Sequence, residues 1–166
     1  LIQFPTAGFP NGIHTIKVTF FVGATTTVAD SQVLDLYIDN HLPEADIEKI
    51  KHGANEVSTC AIEQLGAAPD GFTFEIKASD VEGNLLAVSF VAQAGNGQTF
   101  TLYTESYDIS KGNWAGFVNK VVPAPNAWRP PFQCAYNFSL TATARTTNGY
   151  SYIGHTNSFK GLTVLV

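Results

Sequence analysis

The chain has 166 residues, 45% of them hydrophobic and only 14% charged, with a net charge of −5. Nine Lys and Arg scattered over that length form no basic patch, which argues against nucleic-acid binding. No apolar run approaches the roughly 20 residues of a membrane-spanning helix, so no membrane insertion is expected. What remains is a Thr-, Val-, Phe- and Tyr-rich chain punctuated by Gly and Pro, the composition of an all-β protein long enough to bury a core.

Strand signals begin with "HTIKVTFFV" (14–22) and "VLDLYI" (33–38). The second alternates cleanly, with Val33, Asp35 and Tyr37 on one face and Leu34, Leu36 and Ile38 on the other. "FTFEIKAS" (72–79) alternates in the same way and reads as a half-buried strand. "LLAVSFVAQ" (85–93), "QTFTLYTESY" (98–107), "AYNFSLTATART" (135–146), "YSYIGHT" (150–156) and "GLTVLV" (161–166) follow. Turn chemistry separates them at Pro10-Asn11-Gly12, Pro69-Asp70-Gly71, Glu82-Gly83-Asn84, Gly95-Asn96-Gly97 and Asn148-Gly149.

Two stretches break the rhythm. "PEADIEKIKHG" (43–53) carries helix signals: Pro43 at a first position, acids early, Lys and His late, and Gly53 as a cap. Its apolar stripe is only Ile47 and Ile50, too narrow to nucleate a short helix, and a first strand is the favoured reading. The segment 108–133, with four of the eight prolines, reads as a long loop packed by its own aromatics.

Residues 10–43 resemble the closing half of a bacterial immunoglobulin-like domain. A Pro-Asn-Gly-x-His-Thr turn (Pro10 to Thr15) opens one strand, and an Asp-Asn-x-x-Pro linker (Asp39 to Pro43) ends the next. The middle, "VGATTTVADSQ", departs from the usual Asp-x-x-Gly-Asn hairpin. "FEIKASDVEGNLLAVSF" (74–90) is similar to the strand–turn–strand of cadherin-like extracellular repeats. The resemblance implies an immunoglobulin-like antiparallel β-sandwich over 44–166. It makes 1–43 a partial sandwich of two or three strands, too few to bury both faces alone. It also implies that His14 packs rather than reacts. The start at Leu1, with no signal-peptide pattern, reads as a piece of a longer polypeptide or a processed chain.

Chemistry is sparse. The histidines lie near no nucleophile motif, and "GNGQT" (95–99) lacks the Lys of a phosphate loop, so no catalytic residue is expected. Asp80, Glu82 and Asn84 fall at i, i+2 and i+4 in a Gly-containing turn, a spacing that converges hard oxygen ligands on calcium or makes a plain Asx-bonded turn. By analogy with cadherin-type linkers, Asp39 would add a carboxylate to such a site. Trp114, Trp128 and Tyr107 offer a stacking platform for a polysaccharide, or else plug the end of a core. Cys60 and Cys134 read as one disulfide in a secreted chain and as two buried thiols in a reducing compartment.

These readings converge on a non-catalytic structural or adhesive module of a secreted or cell-surface protein. Its partners would be neighbouring domains of a longer chain or copies of itself. A carbohydrate-binding module of an extracellular enzyme is the alternative, and so is a filament subunit whose residues 1–43 complete a neighbour's sheet.

Overall fold

The computed structural model describes residues 3, 5–67, 69–108, 115–125, 135–147 and 152–165. Among them the chain is all-β: β1 (Gly12–Phe21), β2 (Val28–Ile38), β3 (Glu44–His52), β4 (Asn55–Val57), β5 (Ile62–Gln64), β6 (Phe72–Ser79), β7 (Leu85–Ala94), β8 (Thr99–Ser106), β9 (Phe117–Pro123), β10 (Ala135–Thr147) and β11 (Tyr152–Leu165). β1 and β2 form a sheet of their own. The others make a five-stranded sheet, β5-β11-β10-β7-β8, and a four-stranded sheet, β4-β3-β6-β9. All pairings are antiparallel except β5 with β11.

The strands from β3 onward, β5 excepted, share one apolar core drawn from both sheets. β6 supplies Phe72, Phe74, Ile76 and Ala78 from alternate positions, while Thr73, Glu75 and Lys77 turn outward. Facing them are Leu85, Val88, Phe90 and Ala92 of β7, Phe138, Leu140 and Ala142 of β10, and Leu162 and Val164 of β11. Each large side chain so buried contributes about 1.5–3 kcal/mol over leaving it in water.

β3 resolves the ambiguous stretch at 43–53 as a strand, and its irregularity explains the helix-like spacing. Its register with β6 runs Ile47 opposite Ile76, then Lys49 opposite Glu75, so Glu48 is an extra residue in a β-bulge. The bulge restores the face, and Ile47 and Ile50, three apart, are both buried. Lys160 of β11 donates its Nζ to the Ile47 and Glu48 carbonyls at the bulge and to Asp46 Oδ2 (3.2 Å).

Two expectations need correction. Within the supposed loop 108–133, residues Phe117–Pro123 form β9, paired along β6. It is an edge strand, and Pro123 at its end is the kind of residue such an edge tolerates. The two strands expected within 150–156 and 161–166 are one, β11 (Tyr152–Leu165), which runs through Gly161. A side chain there would meet Cys60 Sγ at 3.3 Å.

The β1–β2 hairpin stands beside this body. Ile38 at its base is buried, whereas Ile13, Phe20, Phe21, Val28, Val33 and Leu34 are exposed. A linker, 39–43, leads from β2 into β3. Its Leu42 and Pro43 pass over Gly154 of β11, where an added Cβ would lie 3.8 Å from each.

Candidate functional site

The hairpin, the linker and the body meet at the turn between β6 and β7. Asp80 and Gly83 close that turn by a Gly83 N–H to Asp80 carbonyl bond of 3.2 Å. Gly83 has φ +73°, a left-handed conformation that glycine adopts without strain. The turn is braced from behind by Gly116, whose added Cβ would lie only 3.2 Å from the Gly83 Cα. Asp80 Oδ1 accepts the Glu82 N–H at 2.9 Å, the Asx bond expected of this sequence. Asn84 is fully buried. Its carbonyl accepts the Thr147 N–H at 3.1 Å, and its Nδ2 donates to the Thr147 carbonyl at 2.8 Å.

Onto this turn the linker lays Asp39. Its Oδ2 accepts a second bond from Asn84 Nδ2, at 3.0 Å, and its Oδ1 caps the His41 N–H at 3.0 Å. His41 Nδ1 reaches Glu82 Oε1 at 2.6 Å, and Asn11, from the turn before β1, donates Nδ2 to the same oxygen. Asn11 Oδ1 in turn accepts both N–H groups of Asn40, at 3.2 and 2.8 Å. The seam is therefore a polar network joining three segments.

Three of the four residues singled out for calcium thus come together: one ligand oxygen each of Asp39, Asp80 and Glu82 lies within 4.8 Å of the others. Asn84 touches the same group through Asp39. Burial, with the neighbouring charges of Asp39 and Glu82, pushes the Asp80 carboxyl up to about 6. Burial acts on Glu82 in the same sense, but hydrogen bonds from His41, Asp80 and Asn11 outweigh it and hold Glu82 below the ordinary glutamate value. His41 is raised, chiefly by its hydrogen bond to Glu82. Asp80, Glu82 and Asn84 stand out in the sequence by their spacing alone. Asn11 and His41 were missed, because their only signal was membership of the two turn motifs that bracket the hairpin.

A second cluster lies at the far end of β3. His52 sits between Glu63 (Nδ1 to Oε2, 2.9 Å) and Asp70 (Nε2 to Oδ1, 2.8 Å), and Asp70 Oδ2 accepts the Gly66 N–H at 2.6 Å. It ties β3, β5 and the 66–70 turn together. Hydrogen bonding to Glu63 raises His52, and the Gly66 N–H lowers Asp70.

The remaining candidates are dispersed. Trp114 and Trp128 lie outside the described residues. Tyr107 follows β8, half-buried, its N–H on the Leu86 carbonyl at 2.8 Å. Burial and then Glu105 raise its phenol, and the neighbouring Tyr103, bonded to Glu105, is pushed up to about 12. A shallow groove on the outer face of the five-stranded sheet is lined by Ser89, Thr104, Ser106, Thr143 and Arg145, without an aromatic ring among the described residues. Cys60 is exposed with a free thiol, and Cys134 lies outside the described residues. His14 bonds the Pro10 carbonyl through Nε2 at 2.6 Å and meets Phe9 edge-on, bracing the turn that carries Asn11. Comparison with protein-family models finds no match, and neither does comparison with curated proteins.

Proposed function

We propose that the chain is a non-catalytic structural module of a secreted or cell-surface protein, built on an immunoglobulin-like sandwich and acting as a rigid spacer or interaction domain. The observation that carries this reading is the strand order. Taking β3, β6 and β9 as the first, second and fifth strands and β7, β10 and β11 as the third, sixth and seventh supports an immunoglobulin-like division, although β4 lies outside that pattern and no strand among the described residues takes the fourth place beside β9. β8 then extends the second sheet, and β5, reached after the β3–β4 hairpin, lies parallel at that sheet's other edge beside β11. The ionisable groups support the same reading, since those at the seam are bonded to one another across segments rather than spaced around a cleft. Force spectroscopy on tandem copies tests it. The expected record is one force peak per copy; extension without a peak, or turnover of ester, peptide or glycan substrates by the chain, would sink it.

A second reading, assembly through the hairpin, is favoured by its exposed apolar residues. On one face Ile16, Val18 and Phe20 stand opposite Leu34, Gln32 and Asp30. Phe20 and Leu34 are exposed there, and a two-stranded ribbon has no second layer to cover them. Sedimentation should then reveal concentration-dependent association that Phe20→Asp abolishes; a monomer at all concentrations rules assembly out.

A further inference from the structure

We propose that Asp39, Asp80 and Glu82 form a binding site for calcium that fastens the linker, and with it the β1–β2 hairpin, to the sandwich body. The three carboxylates come from two elements that are distant in sequence, and their oxygens gather within 4.8 Å. A cluster of acids alone would mean little, since exposed carboxylates repel one another harmlessly into solvent. These are not in solvent. Asp80 is only 9% exposed and the Glu82 side chain 3%. Asp80 Oδ2, Glu82 Oε2 and Asn84 Oδ1 are all buried, and none has a hydrogen-bond partner. Buried polar oxygens in native proteins nearly always have a donor or an ion.

The N–H donors that are present do not fill that need, and a hydrogen bond between the Asp80 and Glu82 carboxyls exists only with a proton on one of them, which a cation would displace. Asn84 Nδ2 serves Asp39 Oδ2, while Asn11 Nδ2 and His41 Nδ1 both serve Glu82 Oε1, the other oxygen of that carboxylate. A cation met by Asp80 Oδ2 and Glu82 Oε2 would take the lone pairs that no N–H reaches. The set is all oxygen, hard and charged, with no thiolate. Its one imidazole nitrogen in reach is already directed at Glu82. That combination selects calcium over zinc, and an irregular site completed by water suits calcium better than magnesium, which demands a near-ideal octahedron. With three carboxylates and few other protein ligands, the affinity belongs to the weak class of extracellular modules, on the order of 10⁻⁴–10⁻³ M. The site does not depend on the topology proposed above.

Calorimetric titration of the full chain with calcium chloride tests the site, with magnesium chloride as the comparison. Saturable heat is expected for calcium, weakened at least about tenfold in Asp80→Asn and in Asp39→Asn, given that each replaces one of three charged ligands. Two-dimensional NMR of the unaltered chain reads the site without any variant, and shifts should concentrate at residues 39–41 and 80–84. Protease cleavage within 39–43 should slow in calcium for the parent and not for Asp39→Asn. Absence of heat and of shifts up to about 10 mM calcium overturns the proposal, as does binding that both variants leave intact or shifts that map elsewhere.

Discussion

Asn84 Nδ2 donates to Asp39 Oδ2 at 3.0 Å across 45 residues of sequence, joining the core of the sandwich to the strand-linker junction. The same amide holds the Thr147 carbonyl, so one buried side chain fixes both the 80–84 turn and the linker. Asn84→Ala removes both bonds and should cost about 1–3 kcal/mol in urea unfolding. Asn84→Asp sets a fourth carboxylate against Asp39 and should cost more in chelator, with calcium narrowing the gap. An Asn84→Ala variant as stable as the parent would show that the amide is dispensable.

Asp80 predicts the opposite sign. Folding raises its pKa from 3.8 to about 6, so the native chain binds that proton more tightly than the unfolded chain does. Its contribution therefore favours the fold at acid pH and is lost as pH rises through that window. Asp80→Asn abolishes the loss. In chelator near neutral pH the variant should be about 1–2 kcal/mol more stable than the parent, and the advantage should vanish near pH 4. Equal urea midpoints at both pH values would contradict the burial of a charged carboxylate.

The His52 clamp should show a pH optimum. His52 is raised above 6.5, so its contribution is complete below that value and fades as pH climbs through the folded pKa. Asp70 is lowered below 3.8, so its contribution is present above that value and disappears in acid. The stability gap between the parent and His52→Gln should therefore be widest between pH 4 and 6.5 and shrink on either side. Thermal melts across pH measure it, and a flat difference would remove the clamp from the account.

The core and the hairpin should respond differently to the same loss of a ring. Phe74 is completely buried in β6, between Ile50 of β3 and Val122 of β9 in register. Phe74→Ala should cost about 3–5 kcal/mol. Phe20, 51% exposed, should change the unfolding of a dilute monomer by less than about 0.5 kcal/mol when made Ala.

Cys60 departs from both cysteine readings, being free where a disulfide was expected and exposed where a buried thiol was. Its exposed free thiol predicts maleimide labelling of the native, unreduced chain at this position, read by mass spectrometry. Resistance to labelling until a reductant is added would instead favour the bond to Cys134.

The sandwich was legible where side-chain period and strand period agree. "FTFEIKAS" alternates without interruption, and β6 spans those residues. β3 was disguised, because one bulged residue converts a two-residue period into the three-residue step from Ile47 to Ile50, which looks helical until pairing with β6 is known. β9 was hidden among prolines, its identity supplied by a neighbour about forty residues earlier rather than by its own composition. At the seam, the local spacing of Asp80, Glu82 and Asn84 could be read from the chain. The Asn11–Glu82 bond could not, since it spans 71 residues and exists only because the hairpin folds back on the turn.

The parallel pairing of β5 with β11 bears on how the body carries load. Tension that reaches Ser58, just before β5, and Leu165 would pull the entry side of β5 and the exit side of β11 in opposing directions along the same axis. The bonds between them, Cys60 N to Gly161 O (2.7 Å), Thr163 N to Ala61 O (2.9 Å) and Leu65 N to Leu165 O (2.8 Å), lie across that axis. They are strained together in shear and cannot be unzipped one at a time. A short strand at the edge of the larger sheet, scarcely noticeable in the sequence, thus sets a shear-loaded contact beside β11, where the antiparallel partners offer none.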